Sequence, residues 1–258
     1  MKKISFFVCL SLAIVSFGFS RDPDSTLKEL KKSVALGNAK EIKTEIFFTA
    51  GELNINGSSN QLSDGSYRFY LDKWKPEITY TETNQLGYLK IRAIEDRVEK
   101  NYEDRDNCIW DISLNKKVKN DLKVKVVAGK CNINLPGCDL KRFEFSMLAG
   151  EMIINLKNTS VPDFVFKAMA GSAMIDLSGK WNNNLNAIIK GGVGEITLKL
   201  PAHTGVKFNI TSILGEVNAP GLHKQINSWT NDLFGKTKEC LYIDFTGGIG
   251  NVNVILVD

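Results

Sequence analysis

From Glu41 onward the chain alternates between apolar and polar positions, with Ile42, Thr44, Ile46 and Phe48 on one side. A period of two places such residues on one face of a β-strand. The dipeptides Asn56-Gly57, Asp64-Gly65 and Leu86-Gly87 punctuate the alternation as turns do. Residues 26 to 35 carry the one helical signal. There Thr26-x-x-Glu29 has the form of a capping box, and Leu27, Leu30 and Val34 share a helical face. An extended lead-in is the alternative for this segment.

The second half repeats itself. Ala128-Gly129, Ala149-Gly150 and Ala170-Gly171 recur at a spacing of 21, Val193-Gly194 follows after 23 and Leu214-Gly215 after 21 more. Ile249-Gly250 comes after an insertion, and Ala50-Gly51 stands alone far upstream. Apolar residues lie two, four and six places after most of these glycines, as in Cys131, Ile133 and Leu135, or Met152, Ile154 and Leu156. Another apolar pair lies seven and five places before, as in Phe143 and Phe145, or Phe164 and Phe166. The residues between are mostly polar.

Each unit therefore reads as strand, glycine kink, strand, turn. A unit this short cannot bury its apolar side alone, so copies must stack. The glycine suits a bend with positive φ or a close approach of the neighbouring unit. The predicted fold is all-β, a repetitive β-solenoid-like stack of short strands, with an antiparallel β-sandwich as the alternative. Insertions fall at Trp181-Asn182-Asn183-Asn184 and at residues 221 to 240, which hold His223, Trp229 and Phe234. Such loops either bind a partner or cap the open end of the core.

The amino terminus changes the picture of compartment. Lys2 and Lys3 precede an apolar run from Ile4 to Phe19, with Gly18 and Ser20 where a signal peptidase cuts and Arg21-Asp22-Pro23 closing the run. This has the form of a signal peptide over residues 1–20. Cys9 lacks the small preceding residue of a lipoprotein cysteine. An N-terminal β region is expected over 21–94, a charged loop over 95–107 and the β-repeat region over 108–258, continuous with the first part. The mature chain is expected to be exported, to the periplasm, the cell surface or the medium, with no membrane span.

Composition adds exclusions. The chain is 43% hydrophobic and 24% charged, with a net charge of +4, two of which lie in the leader. Mixed charge without a basic block gives no footprint for nucleic acid. Lys116, Lys117 and Lys119 read as a solvated turn. Cys108, Cys131, Cys138 and Cys240 permit three full disulfide pairings, and the Leu135-Pro136-Gly137 turn between Cys131 and Cys138 would let those two meet. Cys131 also falls in the inward register of Met152 and Ile196, which makes it a core residue.

No catalytic, cofactor or metal residues are assigned. His203 and His223 lie in loops, neither with a serine in a nucleophile elbow, and no P-loop, GxGxxG or HExxH is present. Glu103-Asp104-Arg105-Asp106-Asn107 lacks the glycine and distal glutamate of a calcium loop. Asn134, Asn155, Asp176 and Lys199 share one outward register, but one carboxylate is too few for a two-carboxylate glycosidase.

Ala50-Gly51-Glu52-Leu53-Asn54-Ile55, Trp74-Lys75-Pro76-Glu77-Ile78 and Gly87-Tyr88-Leu89-Lys90-Ile91 resemble the toast-rack N-terminal domain of bacterial envelope proteins. Trp110-Asp111-Ile112-Ser113-Leu114-Asn115 and the Ala-Gly repeats continue the resemblance, over roughly residues 33 to 258. The downstream units also look like LiaF-type C-terminal domains and adhesin-like β-solenoids. The resemblance implies an all-β stack without known catalysis, in some members tied to envelope stress. A leader in place of several membrane helices departs from the LiaF pattern. The expected function is that of a non-enzymatic secreted envelope protein, a binding or regulatory scaffold in envelope stress response or adhesion. The alternative is a carbohydrate-active β-helix enzyme. The expected partner is an envelope protein or glycan, and self-association along an exposed strand edge is a further option.

Overall fold

A computed structural model describes residues 27–70, 74–93, 108–226 and 228–258. The leader 1–20 and the charged loop 95–107 lie outside the described residues.

The alternating segments form strands of a single sheet that winds on itself. Four long strands come from the downstream repeats: β7 (Lys119–Asn134), β8 (Leu140–Asn155), β9 (Asp163–Asp176) and β10 (Leu185–Pro201). They are preceded by β1 (Lys28–Val34), β2 (Glu41–Asn56), β3 (Ser63–Phe69), β4 (Pro76–Thr83), β5 (Leu86–Ala93) and β6 (Ile109–Leu114). They are followed by β11 (Gly205–Ile210), β12 (Val217–Asn218), β13 (His223–Lys224), β14 (Ser228–Thr230), β15 (Cys240–Thr246) and β16 (Ile249–Val257). Residues 28–34 are thus a strand, and the extended alternative to the helix holds.

The repeats pair in parallel and in register, Gly129 with Gly150, Gly150 with Gly171 and Gly171 with Gly194. Parallel ladders between successive units are those of a stacked coil, so the sandwich alternative falls away. Each long strand bends at its glycine. In β7 the buried residues before the bend are Leu122, Val124 and Val126, and those after it are Cys131 and Ile133. The inward parity changes from even to odd across the bend. Both legs of the coil therefore turn their apolar sides toward one core.

Two physical demands fall on the corner glycines together. Gly129, Gly150 and Gly171 have φ of 122°, 144° and 119°, which L side chains rarely adopt. A Cβ on Gly150 would also collide with the carbonyl oxygen of Gly129, and one on Gly129 with that of Gly51.

Stacked coils put like on like. Phe143 lies on Phe164 with ring centroids 5.5 Å apart, and Phe145 on Phe166 at 5.6 Å. All four rings are fully buried. Offset aromatic stacking adds about 1 kcal/mol per pair to the burial itself.

The order along the stack departs from the order along the chain at both ends. The upstream Ala50-Gly51 copy is no outlier: β2 pairs with β7 over its whole length, Ala50 opposite Ala128. On its other side β2 meets β5 with one leg and β6 with the other, both parallel. Strand β4 then closes over β5, β3 over β6 and β1 over β3, all antiparallel. Trp110 plugs this end, edge-on to Phe48 at 5.0 Å and Tyr67 at 5.4 Å. At the other end the last strands, β15 and β16, lie directly on β10. The earlier unit, β11 and β12, lies outside them.

Candidate functional site

Stacking in register converts each outward position of the repeat into a row of side chains. The polar row expected from the sequence is present. Asn56, Asn134, Asn155, Asp176 and Lys199 follow one another on consecutive strands. Asn155 Nδ2 donates to Asn134 Oδ1 at 2.9 Å. Asn155 Oδ1 accepts from the Lys157 amide and Asp176 Oδ1 from the Ser178 amide, at 3.0 and 2.9 Å. These side chains thus cap the turns after their own strands, and Asp176 has no second carboxylate in its row.

The second insertion acts as an end cap. Strands β14 and β13 add to β11 antiparallel. Buried Asn231 ties the cap down: its Oδ1 accepts from the Val206 amide at 2.9 Å and its Nδ2 donates to the Thr204 carbonyl at 2.8 Å. In the first insertion Trp181 is buried and donates from Nε1 to the Leu177 carbonyl at 2.9 Å. Asn184 Oδ1 accepts from the Cys240 amide at 2.9 Å, which fixes the start of β15.

Each histidine lies beside a carboxylate. His203 Nε2 lies 3.2 Å from Asp258 and His223 Nε2 lies 3.0 Å from Asp232, all four side chains well exposed. Cys108, Cys131, Cys138 and Cys240 are buried free thiols, so the open question of pairing resolves to none of the three. Burial pushes Cys108 up to about 12 and Cys138 up to about 11, and raises Cys131 further. Such thiols stay protonated and unreactive. Among the described residues no three His, Cys, Asp or Glu side chains converge as a metal would need.

With this geometry in place, the family follows. A model of the N-terminal domain of toast-rack, DUF2154, matches residues 23–168 and 144–199. The chain belongs to the toast-rack N-terminal domain family. It is also similar to the crystal structure of a candidate cell-adhesion protein from Clostridium sporogenes, at 28% identity, covering 90% of this chain and 100% of that one with a TM-score of 0.69. Candidate adhesins from Bacteroides fragilis and Parabacteroides distasonis align at 9% and 10% identity over 89% of this chain and 98% of theirs, with TM-scores of 0.30 and 0.25. No curated protein matches the chain.

One set of rows escaped the sequence reading. Lys125, Ser146, Lys167 and Lys190 are lateral neighbours on the first leg of consecutive coils. Each lysine stands four residues before the glycine of its unit, a signal visible once the units are aligned on that glycine. Beside this row, at the corner itself, apolar side chains face outward. Leu148, Met169, Val193, Ile249 and Leu214 are 51%, 64%, 56%, 58% and 72% exposed. The toast-rack stack thus carries a polar row on one leg and, near the corner, a lysine row with exposed apolar side chains in two adjacent positions of the repeat: Leu148 and Met169 in one, and Val193, Ile249 and Leu214, level with Ala170, in the next.

Proposed function

We propose that this chain is a non-catalytic, exported envelope protein whose stack serves as a binding scaffold, of the adhesion kind. The observation that carries the reading is the in-register coil from β2 to β12. It holds long, in-register rows of side chains on a continuous core, which suits recognition of an extended surface or polymer rather than of a small substrate. The likeness to the clostridial candidate adhesion protein supports the adhesion class. The leader-like segment over 1–20 supports export, and no helix among the described residues is long and apolar enough to cross a membrane.

Hydrolysis of polysaccharide, the competing reading, requires two carboxylates flanking a scissile bond. The Asn134–Asn155–Asp176–Lys199 row offers one, and that one caps a turn.

Two measurements test the proposal. Fractionation of cells producing the tagged full chain should recover it outside the cytoplasm. Purified chain should bind one envelope fraction saturably (sacculi, membranes or wall glycans) and release no product from any. Cytoplasmic retention of the full chain, or turnover of a glycan, overturns the reading.

A further inference from the structure

Phe47 breaks the polar pattern of the face on which it stands. It projects outward from the first leg of β2, between the buried residues Ile46 and Phe48. Two other aromatic rings stand outward on first legs among the described residues, and both have partners. Tyr88 lies under the Lys43 ammonium at 5.8 Å, and Tyr242 meets Phe234 edge-on at 5.9 Å. Phe47 has no ring or cation stacked on it among the described residues.

The strand register sets the charges around this ring. Arg92 on β5 and Lys125 on β7 are its lateral neighbours, about 10 Å apart across it at the usual strand spacing. Two residues back along the same strands, Lys90, Glu45 and Lys123 are level with one another. These six side chains line an open cleft of about 260 Å³. Pockets for drug-sized ligands enclose about 300 to 1,000 Å³, so this cleft suits one unit of a chain that runs on past it.

Three of the four cations are already matched. Arg92 lies 2.6 Å from Glu77, Lys90 3.8 Å from Glu45 and Lys123 3.4 Å from Glu144. Lys125 is exposed and has no carboxylate partner among the described residues. The cleft therefore has one ammonium to spare, beside an aromatic face open to a ligand. It also holds an exposed carboxylate, Glu45, with acceptor sites left over.

We infer that this cleft binds an acidic glycan, taking one pyranose unit that carries a single anionic group. The C–H face of the sugar packs on the Phe47 ring, and both apolar faces leave water. The anionic group pairs with the Lys125 ammonium in a charge-assisted hydrogen bond. Sugar hydroxyls donate to the Glu45 carboxylate and accept from Lys90 and Lys123.

The charge count separates a glycan from other ligands that would meet these groups. A nucleic-acid strand brings a phosphate with every base, and one spare ammonium does not neutralise them. A simple anion makes no use of Phe47. Glu45 repels anions but accepts hydroxyl donors, which a pyranose presents around its whole rim. This inference rests on the reading of the chain as a non-catalytic scaffold and names the class of polymer it binds.

The test uses the full chain, a short oligogalacturonate and its neutral methyl ester, with titration calorimetry at low ionic strength. The acid should bind about threefold tighter than the ester, and the gap should shrink as salt is added. Phe47→Ala should weaken binding of both by about fivefold, whereas Phe47→Tyr, which keeps the aromatic face, should match the parent. Lys125→Gln should weaken binding of the acid by about threefold and leave the ester unchanged. Circular dichroism confirms that each variant is folded. Absence of binding to the acid overturns the inference, as does equal binding of acid and ester or a Phe47→Ala variant that matches its parent. Binding of oligothymidylate that is lost in Phe47→Ala also overturns it and assigns the cleft to single-stranded nucleic acid. Binding seen only after residues 95–107 are replaced by a Gly-Ser linker overturns it too and assigns the cleft to that charged segment. A chain that ignores oligogalacturonate yet binds another envelope fraction keeps the scaffold reading and loses this one, whereas release of product from any glycan removes the scaffold reading itself.

Discussion

Gly51 and Gly129 are lateral partners in adjacent parallel strands, although β3, β4, β5 and β6 all lie between them in the chain. Their backbones approach so closely that a Cβ on Gly129 has no room beside the Gly51 carbonyl. The same relationship recurs from Gly129 to Gly150, Gly171, Gly194 and Gly250. The stack therefore depends on an uninterrupted file of residues without side chains.

Gly150 is the most direct place to test that dependence. Gly150→Ala forces an L residue to a φ of 144° and drives its methyl into the Gly129 carbonyl. The strained backbone alone is worth about 1 to 3 kcal/mol, and the collision adds to it. Urea unfolding should show a midpoint lowered accordingly. Exchange of the exposed Ala149 for serine, one residue away, should leave it within about 0.5 kcal/mol of the parent.

Truncation after Glu239 removes β15 and β16, which separate β10 from β11. The outer unit of β11 and β12 then loses the strands it rests on. Limited proteolysis of the truncated chain should digest residues 205–239 while the coils up to β10 persist. Stacking in chain order would instead leave β11 docked on β10 and resistant.

Cys108, Cys131, Cys138 and Cys240 are at most 5% exposed, and burial holds the first three thiols well above the ordinary range. Thiolate is the reactive form. In the folded protein all four should resist iodoacetamide near neutral pH, and all four should be modified in guanidinium. Peptide mass spectrometry distinguishes the sites. Rapid labelling of one of them in the native state would contradict its burial.

Acid should loosen the amino-terminal edge. The Ser33 hydroxyl, then the Ser59 hydroxyl, hold the Asp64 carboxyl below the usual carboxylate range, each at 2.6 Å. A folded-state value below the unfolded one contributes stability that is fully present above the unfolded value and lost as pH falls through the folded one. Ser33 is on β1 and Asp64 on β3, so this contact ties the edge strand down. Asp64→Asn should lower the Tm near neutral pH, and the gap to the parent should close below the ordinary carboxylate range. A gap that is constant with pH would show that the charge of Asp64 contributes nothing.

Much of the architecture was legible because it is periodic. Phe143 and Phe164 occupy the same place in units 21 residues apart, and they stack. The inward role of Cys131 followed from Met152 and Ile196 at the same offset, and both strand registers confirm it. The polar row from Asn134 to Lys199 was legible for the same reason. Less so was the cationic row. It needs Lys125, Lys167 and Lys190 aligned on their glycines, and Ser146 interrupts it, so it does not form a charge block along the chain.

By itself the sequence determined the unit: which residues face inward, where the coil bends, and why glycine stands at the bend. Those are local properties, set by the period of two and by the steric cost of a Cβ at positive φ. Only the tertiary structure decided the order of the units. The lone Ala50-Gly51 copy became part of the stack, and the final Ile249-Gly250 copy came to lie inside the Leu214-Gly215 copy that precedes it. Units of one register are interchangeable as neighbours along a parallel ladder. Which of them meet is decided by how the ends are closed: by Trp110 and the antiparallel strands over β5 and β6 at one end, and by the Asn231 cap on β11 at the other.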